Sequence, residues 1–262
     1  MSSPNGERDR RGSALVTGAG GGIGRQVCLV LARAGHPVAA ADLDRDLAEQ
    51  TARLVRAEGG TAWATAVDVT SFDALTAAVS GCERELGELE VFVQCAGIEG
   101  VCTPLVDYPE DAFSQVMDIN AKGVFLGLRA VLPGMVARGR GAVVNVASGL
   151  GLRGAAGMGA YVASKHAVIG LTRTAAIEVA AHGVRVNAVC PGPVATRMMR
   201  SLEEQLNPDQ PQRTHDAFVA ARPMARYAAP EEIAEVVAFL CDPRSSYVTG
   251  AAWPVDGGLC AR

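Results

Sequence analysis

The 262-residue sequence has no basic block and no basic face studded with aromatics, and its formal charge is −4, from 24 Lys and Arg against 28 Asp and Glu. That balance predicts neither nucleic acid nor an anionic membrane as a main partner. No cysteine pair has CxxC spacing: Cys28, Cys82, Cys95, Cys102, Cys190, Cys241 and Cys260 are scattered. Scattered thiols read as reduced core or surface residues of a cytoplasmic protein, with no metal site and no disulfide. No uninterrupted apolar run approaches the roughly 18 residues of a membrane span, so a soluble chain is expected. The start, MSSPNGERDRRGS, lacks the apolar centre of a secretory signal and reads as a disordered tail over residues 1–12. Repeats and low-complexity tracts are missing too.

What the sequence does have is core. Hydrophobic residues make up 49%, enough for one sizeable α/β domain over residues 13–262. Residues 13–17 (SALVT) read as a first strand, GAGGGIG follows, and a helix is predicted over 25–34. In that order the glycines admit close backbone approach, and the helix start turns free N–H groups toward a pyrophosphate. Two glycine registers fit: Gly18, Gly22 and Gly24, or Gly18, Gly21 and Gly24. A second strand over 37–41 ends at Asp42, 18 residues beyond Gly24, where an acid that binds a ribose is expected. A carboxylate there accepts from both ribose hydroxyls and repels a 2′-phosphate, which favours NAD over NADP. The competing use of Asp42 is to cap the helix that follows.

Helices over 44–58 and 71–86, strands over 61–67 and 89–93, and a helical region over 110–136 continue the alternation, with Pro133-Gly134 expected to interrupt the last. Strands over 141–147, 184–190 and 252–255, with helices over 160–181 and 230–240, complete a parallel, doubly wound sheet covered on both faces. The stretch 193–229 is too long for an ordinary connection and reads as a substrate flap.

Ser148 stands at the carboxyl end of the 141–147 strand, where open α/β sheets place ligands. Tyr161 and Lys165 are four apart on a helix, so they share a face. An unperturbed tyrosine, at about pKa 10, is a poor proton relay near neutral pH. One unit charge about 4 Å away, at an effective dielectric near 20, is worth roughly 4 kcal/mol or about three pKa units. Lys165 is therefore expected to bring the phenol into range, while Ser148 offers a neutral hydroxyl to a substrate oxygen. Five glycines, at 149, 151, 154, 157 and 159, are expected to leave room beside the pair. Met198, Met199, Leu202 and Leu206 suit an adaptable apolar wall. Together they predict a bulky, apolar, cyclic small-molecule substrate. Arg153 and Arg197 read as solvated charges rather than anion anchors.

These pieces, TGAGGGIG at 17–24, Asp68-Val69, Ser148, Tyr161, Lys165 and PGPVAT at 191–196, closely resemble the single-domain short-chain dehydrogenase/reductases over residues 12–258. The resemblance implies a Rossmann-like fold, commonly tetrameric, that passes hydride between a nicotinamide cofactor and a secondary alcohol or ketone. It assigns Ser148, Tyr161 and Lys165 to catalysis, and Asn120 as a fourth member that positions a water leading from Lys165 to solvent. It assigns Gly18, Gly21, Gly22, Ile23, Gly24, Asp68, Val69, Ala96, Gly97, Val194 and Thr196 to the cofactor site beside Asp42, Tyr161 and Lys165. Asn187 matches a structural asparagine. QCAG at 94–97 departs from the usual NNAG, which leaves the hydrogen bonding of Gln94 and Cys95 open. An NADPH-dependent 3-oxoacyl carrier-protein reductase looks similar throughout, and Asp42 is the residue that argues against it. A sugar-nucleotide epimerase would need a further carboxyl-terminal domain, and a non-catalytic dinucleotide sensor would not need the intact trio.

Overall fold

A computed structural model describes residues 11–261. Most of the expected tail, residues 1–10, lies outside the described residues, and Arg11 and Gly12 are already tied down. Arg11 pairs with Asp242 at 3.0 Å, and the Gly12 N–H donates to the Glu90 carboxylate at 2.7 Å.

The chain forms β1 (Ser13–Thr17), α1 (Gly22–Arg33), β2 (Val38–Asp42), α2 (Arg45–Ala57), β3 (Ala62–Ala66), α3 (Phe72–Leu86) and β4 (Leu89–Gln94). It continues through α4 (Glu110–Met117), α5 (Gly123–Arg138), β5 (Gly141–Val146), α6 (Gly159–Val179) and β6 (Val184–Pro191). Then come α7 (Arg197–Leu206), α8 (Pro211–Ala220), α9 (Pro230–Cys241) and β7 (Ala252–Val255). All seven strands pair in parallel in the order β3-β2-β1-β4-β5-β6-β7. The order reverses between β1 and β4, and the crevice beyond their carboxyl ends is where such sheets bind ligands.

Alternation along each strand splits the core in two. Leu15, Phe92, Val143 and Val186 pack with α3, α5 and α6, while Val16, Val93, Val144 and Val189 pack with α1, α2 and α9. Burial on both faces is why these strands read as continuous apolar runs.

Three boundaries differ from the sequence expectation. Helix α1 starts at Gly22 rather than residue 25, so the end of the glycine motif is its first turn. The 110–136 region is two helices joined by a π turn over Asp118–Lys122. Pro133 does not interrupt α5, which runs on to Arg138 and ends at Gly139 with φ 68°. Pro133 removes one backbone donor, but Val131 and Met135 on either side of it are buried against the sheet and hold the helix together. The helical stretch Glu110–Arg138 is long and apolar enough to cross a membrane by length and composition, and half of its most apolar window is buried within the fold, as in a core helix.

The QCAG departure has a structural use. Gln94, 4% exposed, donates from its amide nitrogen to the Val124 carbonyl at 3.2 Å and to Asn145 Oδ1 at 2.9 Å. Asn145 donates onward to the Thr172 hydroxyl at 2.9 Å, and Thr172 donates to the Val168 carbonyl at 2.7 Å. Gln94 thus braces β4 and β5 against α5 and α6. Its extra length fits because residue 127 is glycine: a Cβ there would lie 2.8 Å from Gln94 Cδ and 3.0 Å from Phe92 Cε1. Gly127→Ala is therefore expected to destabilise the fold by about 1–3 kcal/mol through overpacking. Shortening the neighbour in Gly127→Ala/Gln94→Asn should recover part of the loss in a denaturant titration. Additive losses would mean that the two positions do not share the space.

Candidate active site

The site is built from the carboxyl ends of β1, β4, β5 and β6. After β1 the chain turns through Gly18 at φ +65°, where a Cβ would sit 2.6 Å from the Ala96 nitrogen. A Cβ at Gly22 would lie 2.8 Å from Thr196 Cγ2, and one at Gly24 2.8 Å from the Gly18 carbonyl carbon. At Gly21 a Cβ would meet only the Gly18 oxygen, at 3.3 Å. Packing therefore demands glycine in the Gly18, Gly22 and Gly24 register. Gly21 caps α1 with no side-chain partner for the helix's free N–H groups, which leaves that end open to an anion. This cradle fits a dinucleotide pyrophosphate.

Gly20 is a member the sequence reading missed. Its Cβ would collide with Leu47, and its N–H donates to Asp42 Oδ2 at 2.8 Å. Asp42 does not cap the helix after it; Asp44 does, accepting from the Asp46 and Leu47 nitrogens at 2.9 and 3.3 Å. The Asp42 carboxylate instead stands at the end of β2 beside the glycine loop, where it fits a ribose. Asp68, beyond β3, is exposed and accepts from the Thr70 hydroxyl and nitrogen at 2.7 and 2.8 Å, bonds that hold its carboxyl below the usual range. Val69 packs where a Cβ on Gly123 would be, 3.0 Å away.

Ser148, Tyr161 and Lys165 line one cavity of about 240 Å³, together with Ile23, Gly97, Val194 and Thr196. Thr196 also caps α7. Burial pushes the Tyr161 phenol up to about 12; a hydrogen bond from Ser148 pulls the other way, and the Glu99 charge raises it further. Burial also pulls Lys165, 5% exposed, down to about 8. Here the structure corrects the electrostatic expectation, because Lys165 does not lower the phenol. Its ammonium donates to the Val146 carbonyl at 2.9 Å and lies 5.5 Å from the Tyr161 ring centre, and the phenol is raised chiefly by its own desolvation.

The π turn delivers Asn120, as such turns often do at functional sites. Its amide oxygen accepts from the Ile98 nitrogen at 2.8 Å, and its amide nitrogen donates to the Ile98 carbonyl at 2.8 Å and to the Ser164 hydroxyl at 3.1 Å. The side chain thus clamps the segment after β4 instead of bonding Lys165. The two meet at Gly97, where a Cβ would lie 3.1 Å from Asn120 Oδ1 and 3.5 Å from Lys165 Nζ.

Met198, Met199, Leu202 and Leu206 all face the cavity, as their near-helical spacing suggests. The glycine wall is different. Of the five glycines only Gly149 lines the cavity, and Gly151 is small because a Cβ would lie 2.8 Å from the Lys165 carbonyl oxygen. Arg153 faces the cavity and Arg197 does not. Phe218 and Arg222, on and just after α8, also line it. They were missed, since nothing periodic marks that polar stretch.

Residues 18–260 match a family model described as enoyl-(acyl carrier protein) reductase. Levodione reductase from Leifsonia aquatica is 38% identical over 94% of this chain and 93% of its own. Cyclohexanol dehydrogenase from an Acinetobacter species is 35% identical over 95% of each. The crystal structure of levodione reductase superposes with a TM-score of 0.93 at 37% identity, covering 96% of this chain and 98% of the other. NAD+-bound xylitol dehydrogenase gives 0.90 at 37%, over 94% and 98%. An NADPH-bound polyketide ketoreductase gives 0.91 at 33%, over 99% of each. With a doubly wound sheet, a glycine cradle and a Ser-Tyr-Lys cavity all in place, this chain belongs to the short-chain dehydrogenase/reductase family, as an oxidoreductase that interconverts a secondary alcohol and a ketone on a nicotinamide dinucleotide.

Proposed function

We propose that the protein is an NAD(H)-dependent dehydrogenase of bulky, largely apolar, cyclic secondary alcohols, working as a cytoplasmic homotetramer. The observation that carries the substrate class is the cavity beside Tyr161, walled by Leu150, Met198, Met199, Leu202, Leu206 and Phe218. The cavity is about 240 Å³ and is shared between the nicotinamide end, at Ile23, Gly97, Val194 and Thr196, and the apolar side that faces Tyr161. The cyclohexanol dehydrogenase among the relatives agrees with a ring substrate.

Ser148 and Tyr161 hold the substrate oxygen, and Tyr161 gives or takes its proton. Asn120 fixes the segment that carries Gly97, and Gly97 leaves space beside Lys165. When bound, the nicotinamide dinucleotide supplies or accepts the hydride. Gly18, Gly22 and Gly24 would hold its pyrophosphate, Asp42 its adenosine ribose, Lys165 its nicotinamide ribose, and Asp68 and Val69 its adenine. Val194 and Thr196 would border its nicotinamide end.

Cyclohexanol should outperform xylitol by about tenfold or more in kcat/KM with NAD+, because the side chains of Leu150, Met198, Met199, Leu202, Leu206 and Phe218 give nothing back for desolvated hydroxyls. Met198→Ala or Met199→Ala should change that ranking more than it changes the KM for NAD+. A preference for xylitol, or an unaltered ranking in both variants, rejects the cavity as the source of selectivity.

The tetramer is supported by apolar side chains on the outer faces of α5 and α6, with Phe125 48% and Ile177 82% exposed. Light scattering at micromolar concentration should give four times the 27.1 kDa chain mass. A monomer mass rejects it. Cytoplasmic residence is supported by the seven cysteines, all unpaired.

A further inference from the structure

We propose that Arg222, assisted by Arg153, forms an anion-binding subsite in the catalytic cavity, and that the natural substrate carries a carboxylate or equivalent anionic group on its apolar skeleton. The proposal rests on reading that cavity as the substrate site. Among the described residues three buried side-chain polar atoms have no hydrogen-bond partner: Thr17 Oγ1, Arg138 Nε and Arg222 Nε. Arg138 is otherwise well occupied, by Glu83 at 3.0 Å and the Leu89 carbonyl at 2.7 Å. Thr17 lies within the sheet. Arg222 alone of the three lines the cavity.

Arg222 is 8% exposed and makes no ion pair among the described residues. One terminal nitrogen donates to the Phe218 carbonyl, and the guanidinium carbon lies 5.2 Å from the Phe218 ring centre. Arginine does not escape burial by losing its proton, so a buried guanidinium calls for an anion. Among the described residues none pairs with it directly: the Asp256 carboxylate acts on the Arg222 charge without bonding it, and its two oxygens accept from the Gly258 and Cys260 nitrogens at 2.9 and 2.8 Å. Glu203 is taken by the Tyr227 hydroxyl at 2.7 Å and by His215 at 3.1 Å.

A second cation points the same way. Arg153 lines the same cavity and likewise makes no ion pair among the described residues. Its charge, after burial, is among the influences that pull Arg222 down. Arg153 is exposed and Arg222 buried, so the cavity carries one solvated and one enclosed cation on its lining, and an anion bound at Arg222 would also be attracted by Arg153. The planar fork of Arg222 suits two oxygens of a carboxylate.

The test uses the NADH-loaded protein. Calorimetric titration compares cyclohexanecarboxylate with its methyl ester, and in parallel kcat/KM is measured for 4-oxocyclohexanecarboxylate and its methyl ester. The acid is expected to bind about tenfold or more tighter than the ester. Arg222→Met should collapse that acid-to-ester ratio toward one, Arg222→Lys should retain part of it, and Arg153→Met should lower it less. Cyclohexyl phosphate and cyclohexanesulfonate, titrated alongside, identify which anion is held best. A ratio near one in the wild type, or a ratio that survives Arg222→Met, overturns the subsite, and a purely structural role for Arg222 would move acid and ester together. If the binding ratio holds while neither ketone is turned over, the subsite stands and the proposed cyclic substrate class falls.

Discussion

Tyr161→Phe is expected to lower kcat by about 10³-fold while leaving NADH affinity within a few-fold. The ring that packs beside Lys165 remains and only the hydroxyl is lost, so the substitution removes a proton donor and acceptor with little change in ground-state binding. The phenol's position also sets the pH dependence. Burial holds Tyr161 at about 12, so it is protonated throughout the neutral range. Ketone reduction consumes that proton and finds it already in place. Alcohol oxidation needs the ionised phenol, so its kcat/KM should climb between about pH 7 and about pH 10, while that for reduction shows no matching rise. Substantial turnover by Tyr161→Phe at saturating substrate would move the acid/base role to another group. A flat oxidation profile would show that something restores the electrostatic relief that Lys165 does not provide in this structure.

The sheet was legible because its strands are apolar runs bounded by turn residues. The segment 13–17 and the last strand at 252–255 fall where the sequence puts them. The grouping of Ser148, Tyr161 and Lys165 was legible in part: helical spacing puts Tyr161 and Lys165 on one face and a strand end places Ser148, while the family resemblance joined them into one site. What was hidden depends on partners distant in the chain. The glycine register is settled by Ala96 and Thr196, which lie far from residues 18–24 in sequence and close in space. The π turn leaves no trace in the spacing, because Asp118 and Lys122 pair at 3.3 Å just as an ordinary i, i+4 pair would. The Tyr161 shift was misjudged in sign. Spacing reports the neighbour's charge, but it does not report the desolvation that raises the phenol. Arg222 was invisible, because what marks it is a buried guanidinium with no ion pair among the described residues, and only the packed fold reveals that.

Cofactor choice gives the second large effect. Asp42→Ala is expected to reduce the ratio of kcat/KM with NAD+ to that with NADP+ by about 100-fold. Two contributions combine, each on the order of 1.5 kcal/mol. One is loss of a charged acceptor for the ribose hydroxyls, which weakens NAD+. The other is relief of repulsion against a 2′-phosphate, which strengthens NADP+. The geometry shows why the carboxylate is free to do this: its one bond to the loop is from the Gly20 N–H at 2.8 Å, its other oxygen accepts from the Asp44 nitrogen at 3.1 Å, and helix capping falls to Asp44. Arg25 does not offset it. Arg25 is turned inward, donating to the Thr51 hydroxyl at 3.2 Å and the Gly20 carbonyl at 3.3 Å. The fold should lose little, since the Gly20 N–H can turn to solvent at the loop end, and a thermal melt within a few degrees of wild type would separate a cofactor effect from unfolding. Adding Leu43→Arg to Asp42→Ala should carry the preference further toward NADP+, because Leu43 is exposed beside the same site and a guanidinium there can pair with the phosphate. A wild type that prefers NADP+, or an Asp42→Ala variant with an unchanged ratio, would take the ribose away from Asp42 and reopen the choice of dinucleotide.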